Sequence, residues 1–334
     1  MKLTTLTLSA LLLVACSDTV APPAGPTATQ ACEAYARANC ARQQSCSNGF
    51  LITRVYADLA TCEQRTRDGC VASLAANGTG QTPANVQACA AAFPTVACAD
   101  LLNGDNLPAA CATPVGRLAM GAVCRYAAQC QSSFCAVATG SSCGTCGPRP
   151  SAGTPCNGPG VAVGCGGGGL SCVGETATAP GTCLALGARG SLCDATRPCG
   201  AGLSCTPVSL MAPRRTCEPA GATVGAACGG ASAAGCDGAL GLACNPMTRT
   251  CASISVVAAG AACGLLDDGT FAVCANSGDC QGYTLMNPRG TCRGSAADGA
   301  ACDRAQGPFC RTPATCVTAG GGTAGTCALP VTCG

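Results

Sequence analysis

Residues 225–251 read GAACGGASAAGCDGALGLACNPMTRTC, a stretch divided by Cys228, Cys236, Cys244 and Cys251. It opens on Gly-x-x-Cys, carries Gly-Leu-x-Cys in its second half and closes on Thr-Cys. A glycine just ahead of a bridged strand suits a turn at positive φ, a conformation that residues with a Cβ resist. Leu and Thr favour extended chain on either side of a Gly/Pro-rich loop, so the second half reads as a β-hairpin.

The same frame recurs with a period of roughly 35 residues, the mark of tandem repeats. Gly-x-x-Cys stands at 121–124, 153–156, 190–193, 225–228, 260–263 and 299–302, and Thr-Cys closes each unit at 145–146, 182–183, 216–217, 250–251, 291–292 and 326–327. Gly-Leu-x-Cys appears at 169–172, 202–205 and 241–244. The intervening loop differs between units, NPMTRT in one and VGETATAPGT in another, as surface loops tolerate.

Six units are therefore expected, at about 116–148, 149–186, 187–220, 221–255, 256–295 and 296–334. The first three hold Cys124, Cys130, Cys135 and Cys146, then Cys156, Cys165, Cys172 and Cys183, then Cys193, Cys199, Cys205 and Cys217. After the quoted unit come Cys263, Cys274, Cys280 and Cys292, then Cys302, Cys310, Cys316 and Cys327. Four cysteines allow three pairings, and spacing does not choose among them. Cys143 is additional in the first unit and Cys333 trails the last. Pairing these two would join the ends of the array and demand a compact stack; rearranged pairing at each end is the alternative.

Upstream, residues 29–111 have a different texture. Their cysteines, Cys32, Cys40, Cys46, Cys62, Cys70, Cys89, Cys98 and Cys111, are widely spaced and even in number, so four bridges can close the region on itself. Thr27-Ala28-Thr29-Gln30 matches a capping box. Leu59, Cys62, Thr66 and Cys70 follow helical steps of three and four. Thr82-Pro83 supplies an N-cap with Pro at the first helical position, Val86, Cys89 and Phe93 form a stripe, and Pro94 stops it. A shorter helix is expected over 96–102, ended by Asn103-Gly104. The fold class expected is small and disulfide-rich: a stapled bundle of three or four helices followed by tandem cysteine-rich β-hairpin repeats.

Composition agrees. There are 35 cysteines in 334 residues, above the level that marks a disulfide scaffold. Cytosolic thiols stay reduced, so the chain is expected outside the cytoplasm. Five Phe, four Tyr and no Trp do not make one large oily core. Small stapled units are the solution, each bridge contributing about 2–4 kcal/mol. His is absent, Lys2 is the one Lys, and the remaining basic residues are Arg in near balance with 16 acidic groups. With no basic stripe, nucleic acid is excluded as a partner. Ser-His-Asp, Cys-His and Ser-Lys sites lack their bases, so the chain is read as no enzyme.

The first fifteen residues carry Lys2 and then an apolar run ending Leu11-Leu12-Leu13-Val14-Ala15, a secretory leader too short to span a bilayer. Leu13-Val14-Ala15-Cys16 resembles the lipobox of bacterial lipoproteins. That resemblance implies cleavage before Cys16, a diacylglycerol thioether on its sulfur and an acylated amine, with each buried methylene adding about 0.8 kcal/mol of anchoring. It also removes the odd cysteine, leaving an even number to pair. Ser17 in place of Asp implies the outer membrane. Residues 16–28 read as a flexible tether.

The first unit, GAVCRYAAQCQSSFCAVATGSSCGTCGPRPSAGTPC, resembles the Dickkopf N-terminal cysteine-rich module in its Gly-x-x-Cys, its Cys130-Gln131-Ser132-Ser133-Phe134-Cys135 and its Cys143-Gly144-Thr145-Cys146. Similar repeats behind a helical region occur in cysteine-rich lipoproteins of myxobacteria. The resemblance implies an extracellular, disulfide-bonded, non-catalytic module, without the animal module's partner; later units lack the Cys-Gly-x-Cys close.

Other motifs are read as structure. Cys143-Gly144-Thr145-Cys146 lacks the partners of a zinc site and the helical setting of a redox pair. Residues 164–169 lack the Lys-Ser/Thr of a phosphate loop. Asp267-Asp268-Gly269 and Asn77-Gly78-Thr79 read as turns, and Glu33, Asp58, Glu63 and Asp68 as solvated helix faces. No cofactor or metal is expected. Function is expected to be structural, adhesive or protein-binding at the cell envelope, anchored by lipid, with an extracellular protein or glycan as partner. Phe134, Tyr126, Phe271, Tyr283 and Phe309 are candidate contact residues. The alternative is an inhibitor or ligand-binding module acting through one repeat loop, 211–215, with Arg214 and Arg215 as its binding residues.

Overall fold

A computed structural model describes residues 25–157, 164–166, 168–176, 179–194, 196–209, 212–229, 234–284, 286–319, 322–329 and 333. The leader, Cys16 and most of the tether lie outside these, as does Met211.

Five α-helices open the described chain: α1 (Ala28–Cys46), α2 (Phe50–Tyr56), α3 (Leu59–Ala75), α4 (Pro83–Ala92) and α5 (Cys98–Asn103). Their starts follow from local chemistry. The Thr27 hydroxyl accepts the Gln30 N–H at 3.2 Å while the Gln30 side chain accepts the Thr27 N–H at 3.0 Å, closing the expected capping box. Thr82 caps α4 through the Asn85 N–H at 3.2 Å. Asp58 is solvated as expected but is also a cap, accepting the Thr61 N–H at 2.7 Å at the start of α3 and not on its face. Gly104, at φ +66°, terminates α5 in the left-handed conformation. Helix α2 was not expected.

Inside the bundle, Ala31, Cys32 and Val86 are buried, with Tyr35 packed against them. The Tyr35 and Phe93 rings meet edge to face at 5.5 Å. Burial pushes the Tyr35 hydroxyl pKa up, opposed by its hydrogen bond with Asn39. Four bridges, Cys32–Cys70, Cys40–Cys62, Cys46–Cys98 and Cys89–Cys111, all join cysteines within this region.

The repeats are small antiparallel sheets. In the first, second and sixth units the strand bearing Thr-Cys is central, with the Gly-x-x-Cys strand on one side and the third-cysteine strand on the other. The fifth unit extends this to five strands, because Ser255–Val257 pairs in parallel with Phe271–Cys274. The hairpins expected from Gly-Leu-x-Cys are formed by Leu170–Val173 with Gly181–Ala185, Leu203–Ser209 with Ala212–Pro219, and Leu242–Asn245 with Thr250–Ser253.

One local device recurs in all six units. Gly121, Gly153, Gly190, Gly225, Gly260 and Gly299 have φ between +79° and +88°. Each donates its N–H to the carbonyl of the unit's fourth cysteine at 2.7–2.9 Å. That cysteine's N–H returns to the residue after the glycine at 2.8–2.9 Å. The turn thus locks the opening strand to the closing Thr-Cys strand.

The bridges follow one rule, first cysteine to third and second to fourth: Cys124–Cys135 with Cys130–Cys146, Cys156–Cys172 with Cys165–Cys183, and Cys193–Cys205 with Cys199–Cys217. The rule continues through Cys228–Cys244 with Cys236–Cys251, Cys263–Cys280 with Cys274–Cys292, and Cys302–Cys316 with Cys310–Cys327. Cys143 pairs with Cys333 across 190 residues, joining the first unit to the last.

All six units also touch the helical region. In the first, the buried Gln129 donates to the Asn77 carbonyl at 2.8 Å, and the Arg117 N–H donates to the Gly78 carbonyl at 2.8 Å. Gly168 N–H reaches the Gly104 carbonyl at 3.2 Å, and Ala201 N–H the Asn103 side chain at 2.7 Å. Gly241 lies on the Phe50 ring, where a Cβ would come within 2.7 Å of Cγ. Asn276 and Ser277 bond the end of α2, and Arg65 of α3 grips the sixth unit. The repeats therefore ring a helical hub, with the Cys143–Cys333 bridge closing the ring.

Candidate functional site: a cleft between the fifth and sixth units

The hub contacts of the last two units frame a surface that combines aromatic and charged side chains. The helical ladder of α2 stops with the Ala57 N–H, which donates to Thr53 O at 3.2 Å, so the carbonyls after Thr53 need partners from outside the helix. Unit five supplies partners: Ser277 N–H donates to Arg54 O at 2.7 Å and the Ser277 hydroxyl to Val55 O at 3.0 Å, while Asn276 N–H is a second donor to Thr53 O at 3.3 Å. Asn276 and Ser277 both sit at positive φ, +52° and +59°, a strained pairing held by this docking. In the sixth unit the Arg65 guanidinium grips Asp298 at 2.7 and 3.1 Å and donates to the carbonyls of Arg311 and Thr312.

Between these anchors lies a cleft of about 610 Å³. Phe271 and Tyr283 of unit five and Phe309 of unit six line it, with Val55 and Val273. The Phe271 and Tyr283 rings meet edge to face at 6.0 Å. Tyr283 and Phe309 are exposed. Two charged groups reach the lining, Arg54 and Asp279. Asp279 is paired with Arg293 at 2.8 Å, whereas no ion pair is made by Arg54 among the described residues.

The five aromatic residues expected as contacts are thus divided. Phe271, Tyr283 and Phe309 converge. Phe134 does not join them: it is buried, packed near Gly166 of the next unit, because the turn at Gly166 (φ +73°) closes over the ring. Tyr126 is half-buried, and its hydroxyl is shut off from water. Arg214 and Arg215 are exposed on the strand Ala212–Pro219, one arm of the long third-unit hairpin and far along the sequence from the cleft. Arg54, which completes the cleft, was missed by sequence reading because it lies on the unexpected helix.

The crossed bridges also bring sulfurs together: the Sγ atoms of Cys156, Cys165 and Cys183 lie within 4.8 Å of one another, as do those of Cys263, Cys274 and Cys292. Each is bonded to sulfur and offers a metal no thiolate. Asp267 and Asp268 are occupied in a turn: Asp268 accepts the Thr270 hydroxyl and N–H, which hold its pKa below the ordinary carboxylate range, and Asp267 pairs with Arg289. Asp194 is held low in the same way, first by Arg197 and then by Thr196.

No helix among the described residues is long and apolar enough to cross a membrane. Comparison with protein-family models, curated proteins and solved structures found no match to this chain.

Proposed function

We propose that this chain is a bacterial lipoprotein, acylated at Cys16 and tethered to the outer membrane, whose ectodomain is a non-enzymatic binding module. One observation carries the reading. Seventeen bridges join 34 of the 35 cysteines to one another, and the cysteine left over is Cys16, directly after Leu13-Val14-Ala15. A sulfur without a partner in an oxidising compartment needs a chemical fate, and thioether formation supplies one. The chain's lack of His, and of Lys beyond Lys2, supports binding over catalysis. Likeness of the first unit to the Dickkopf module supports an extracellular, non-catalytic module.

Non-reducing peptide mapping by mass spectrometry tests the proposal. The amino-terminal peptide is expected to begin at Cys16 and carry the mass of two or three acyl chains. Cys16→Ala is expected to move the protein from the detergent phase to the aqueous phase. An unmodified Cys16, or a Cys16 found in a bridge, would end this reading.

A further inference from the structure

We infer that the cleft between the fifth and sixth units is a binding site for a small organic acid with an aromatic or bulky apolar body. This goes beyond the lipoprotein reading and does not depend on acylation.

The first argument is allocation. The chain holds five Phe and four Tyr among 334 residues, so a third of its aromatic side chains line this one opening. Two of them, Tyr283 and Phe309, remain exposed at its mouth, although an aromatic ring gains most from burial. Phe93 and Phe134, by contrast, are buried. Rings left facing a concave space are the usual lining of a ligand site, and about 610 Å³ falls within the range such sites occupy.

The second argument is charge. Arg54 of α2 lines the cleft, is exposed and makes no ion pair among the described residues, while Asp279, the other charged residue of the lining, is paired with Arg293. The lining therefore presents one uncompensated cation beside apolar rings. A guanidinium held next to apolar surface pairs with a carboxylate in bidentate fashion. Complementarity thus specifies an anion at one end of the ligand and an apolar body at the other. A neutral sugar would leave Arg54 unanswered.

The third argument is rigidity. The cleft walls are fixed by bridges Cys263–Cys280 and Cys274–Cys292 and by the capping of α2 by Ser277. A site held this firmly loses little on binding.

The test uses the full, oxidised chain and 2-naphthoate as probe, with 2-naphthalenemethanol as its neutral counterpart, by isothermal titration calorimetry. Saturable one-to-one binding of the acid is expected. Phe309→Ala and Tyr283→Ala are each expected to weaken both probes about tenfold, a loss of about 1.4 kcal/mol. Arg54→Ala is expected to weaken the acid about tenfold and leave the neutral probe unchanged. Non-reducing peptide mapping that recovers the parental bridges confirms that each variant is folded, the outcome expected because Tyr283, Phe309 and Arg54 are exposed. Three results would overturn the inference: no saturable binding of the acid, binding indifferent to the two aromatic substitutions, or Arg54→Ala weakening both probes alike. A peptide that binds the cleft where naphthoate does not would also overturn it. Repeating the titration on Cys16→Ala separates this outcome from the fate of the anchor, because the cleft's affinity should not change.

Discussion

The glycine that opens each repeat shows how much depends on a missing Cβ. At Gly260, φ is +86° and no atom would lie within 4 Å of an added Cβ, so the only penalty for a side chain is backbone strain. Gly260→Ala should therefore cost about 1–2 kcal/mol and leave the fold intact. Gly325 is the contrast: its backbone is ordinary, but a Cβ would sit 2.0 Å from the Val317 carbonyl oxygen on the neighbouring strand. Gly325→Ala should prevent the sixth unit from forming its sheet, seen as mispaired Cys302, Cys310, Cys316 and Cys327. Guanidinium unfolding with bridges intact measures the first effect and peptide mapping the second. Equal effects of the two substitutions would contradict this division between strain and contact.

At the scale of the element, Gly-x-x-Cys turns, Thr-Cys strands and three hairpins were all legible in the sequence, because each rests on contacts within a few residues. The pairing inside a repeat was not. In every unit the third and fourth cysteines face each other across the hairpin, as Cys172 faces Cys183 and Cys244 faces Cys251, yet they are not bonded to one another. Each reaches back to the opening half of the unit instead, a choice set by how the first strand folds over the hairpin. Helix α2 was illegible for a related reason. It has no side-chain cap, and the carbonyls of Arg54 and Val55 in its last turn are satisfied by Ser277, more than two hundred residues later. With α2 went Arg54 and hence half the chemistry of the cleft. Ser277→Ala removes the hydroxyl donor to Val55 O and should weaken the docking by about 1 kcal/mol. Faster hydrogen exchange across Phe50–Tyr56, with the rest of the hub unchanged, is the expected readout; unchanged exchange there would show that α2 stands without unit five.

The whole molecule is a ring around a hub, and the sequence left its closure open between two alternatives because nothing local ties Cys143 to Cys333. In a bare chain, a bridge spanning 190 residues would contribute about 5 kcal/mol. Here the other bridges and the hub contacts already restrain the ends, so its contribution is smaller. The Thr318 N–H donates to the Gly140 carbonyl at 2.9 Å, joining the same two units beside that bridge. Replacing both Cys143 and Cys333 with Ser should lower the thermal midpoint and speed exchange at Thr318, while the four bridges of the hub stay formed. Protection at Thr318 equal to that of the parent would mean that the ring is held shut by the hub alone.

The interleaved pairing has a further consequence for a chain exposed to proteases. Between Cys32 and Cys111, and again between Cys124 and Cys333, every peptide bond is spanned by at least one bridge. A single nick anywhere in those spans releases nothing. The stretch 112–123 is crossed by no bridge, and it holds the exposed Arg117. Hub and ring are thus one covalent body through a dozen unguarded residues, and severing that joint leaves them associated by non-covalent contacts alone.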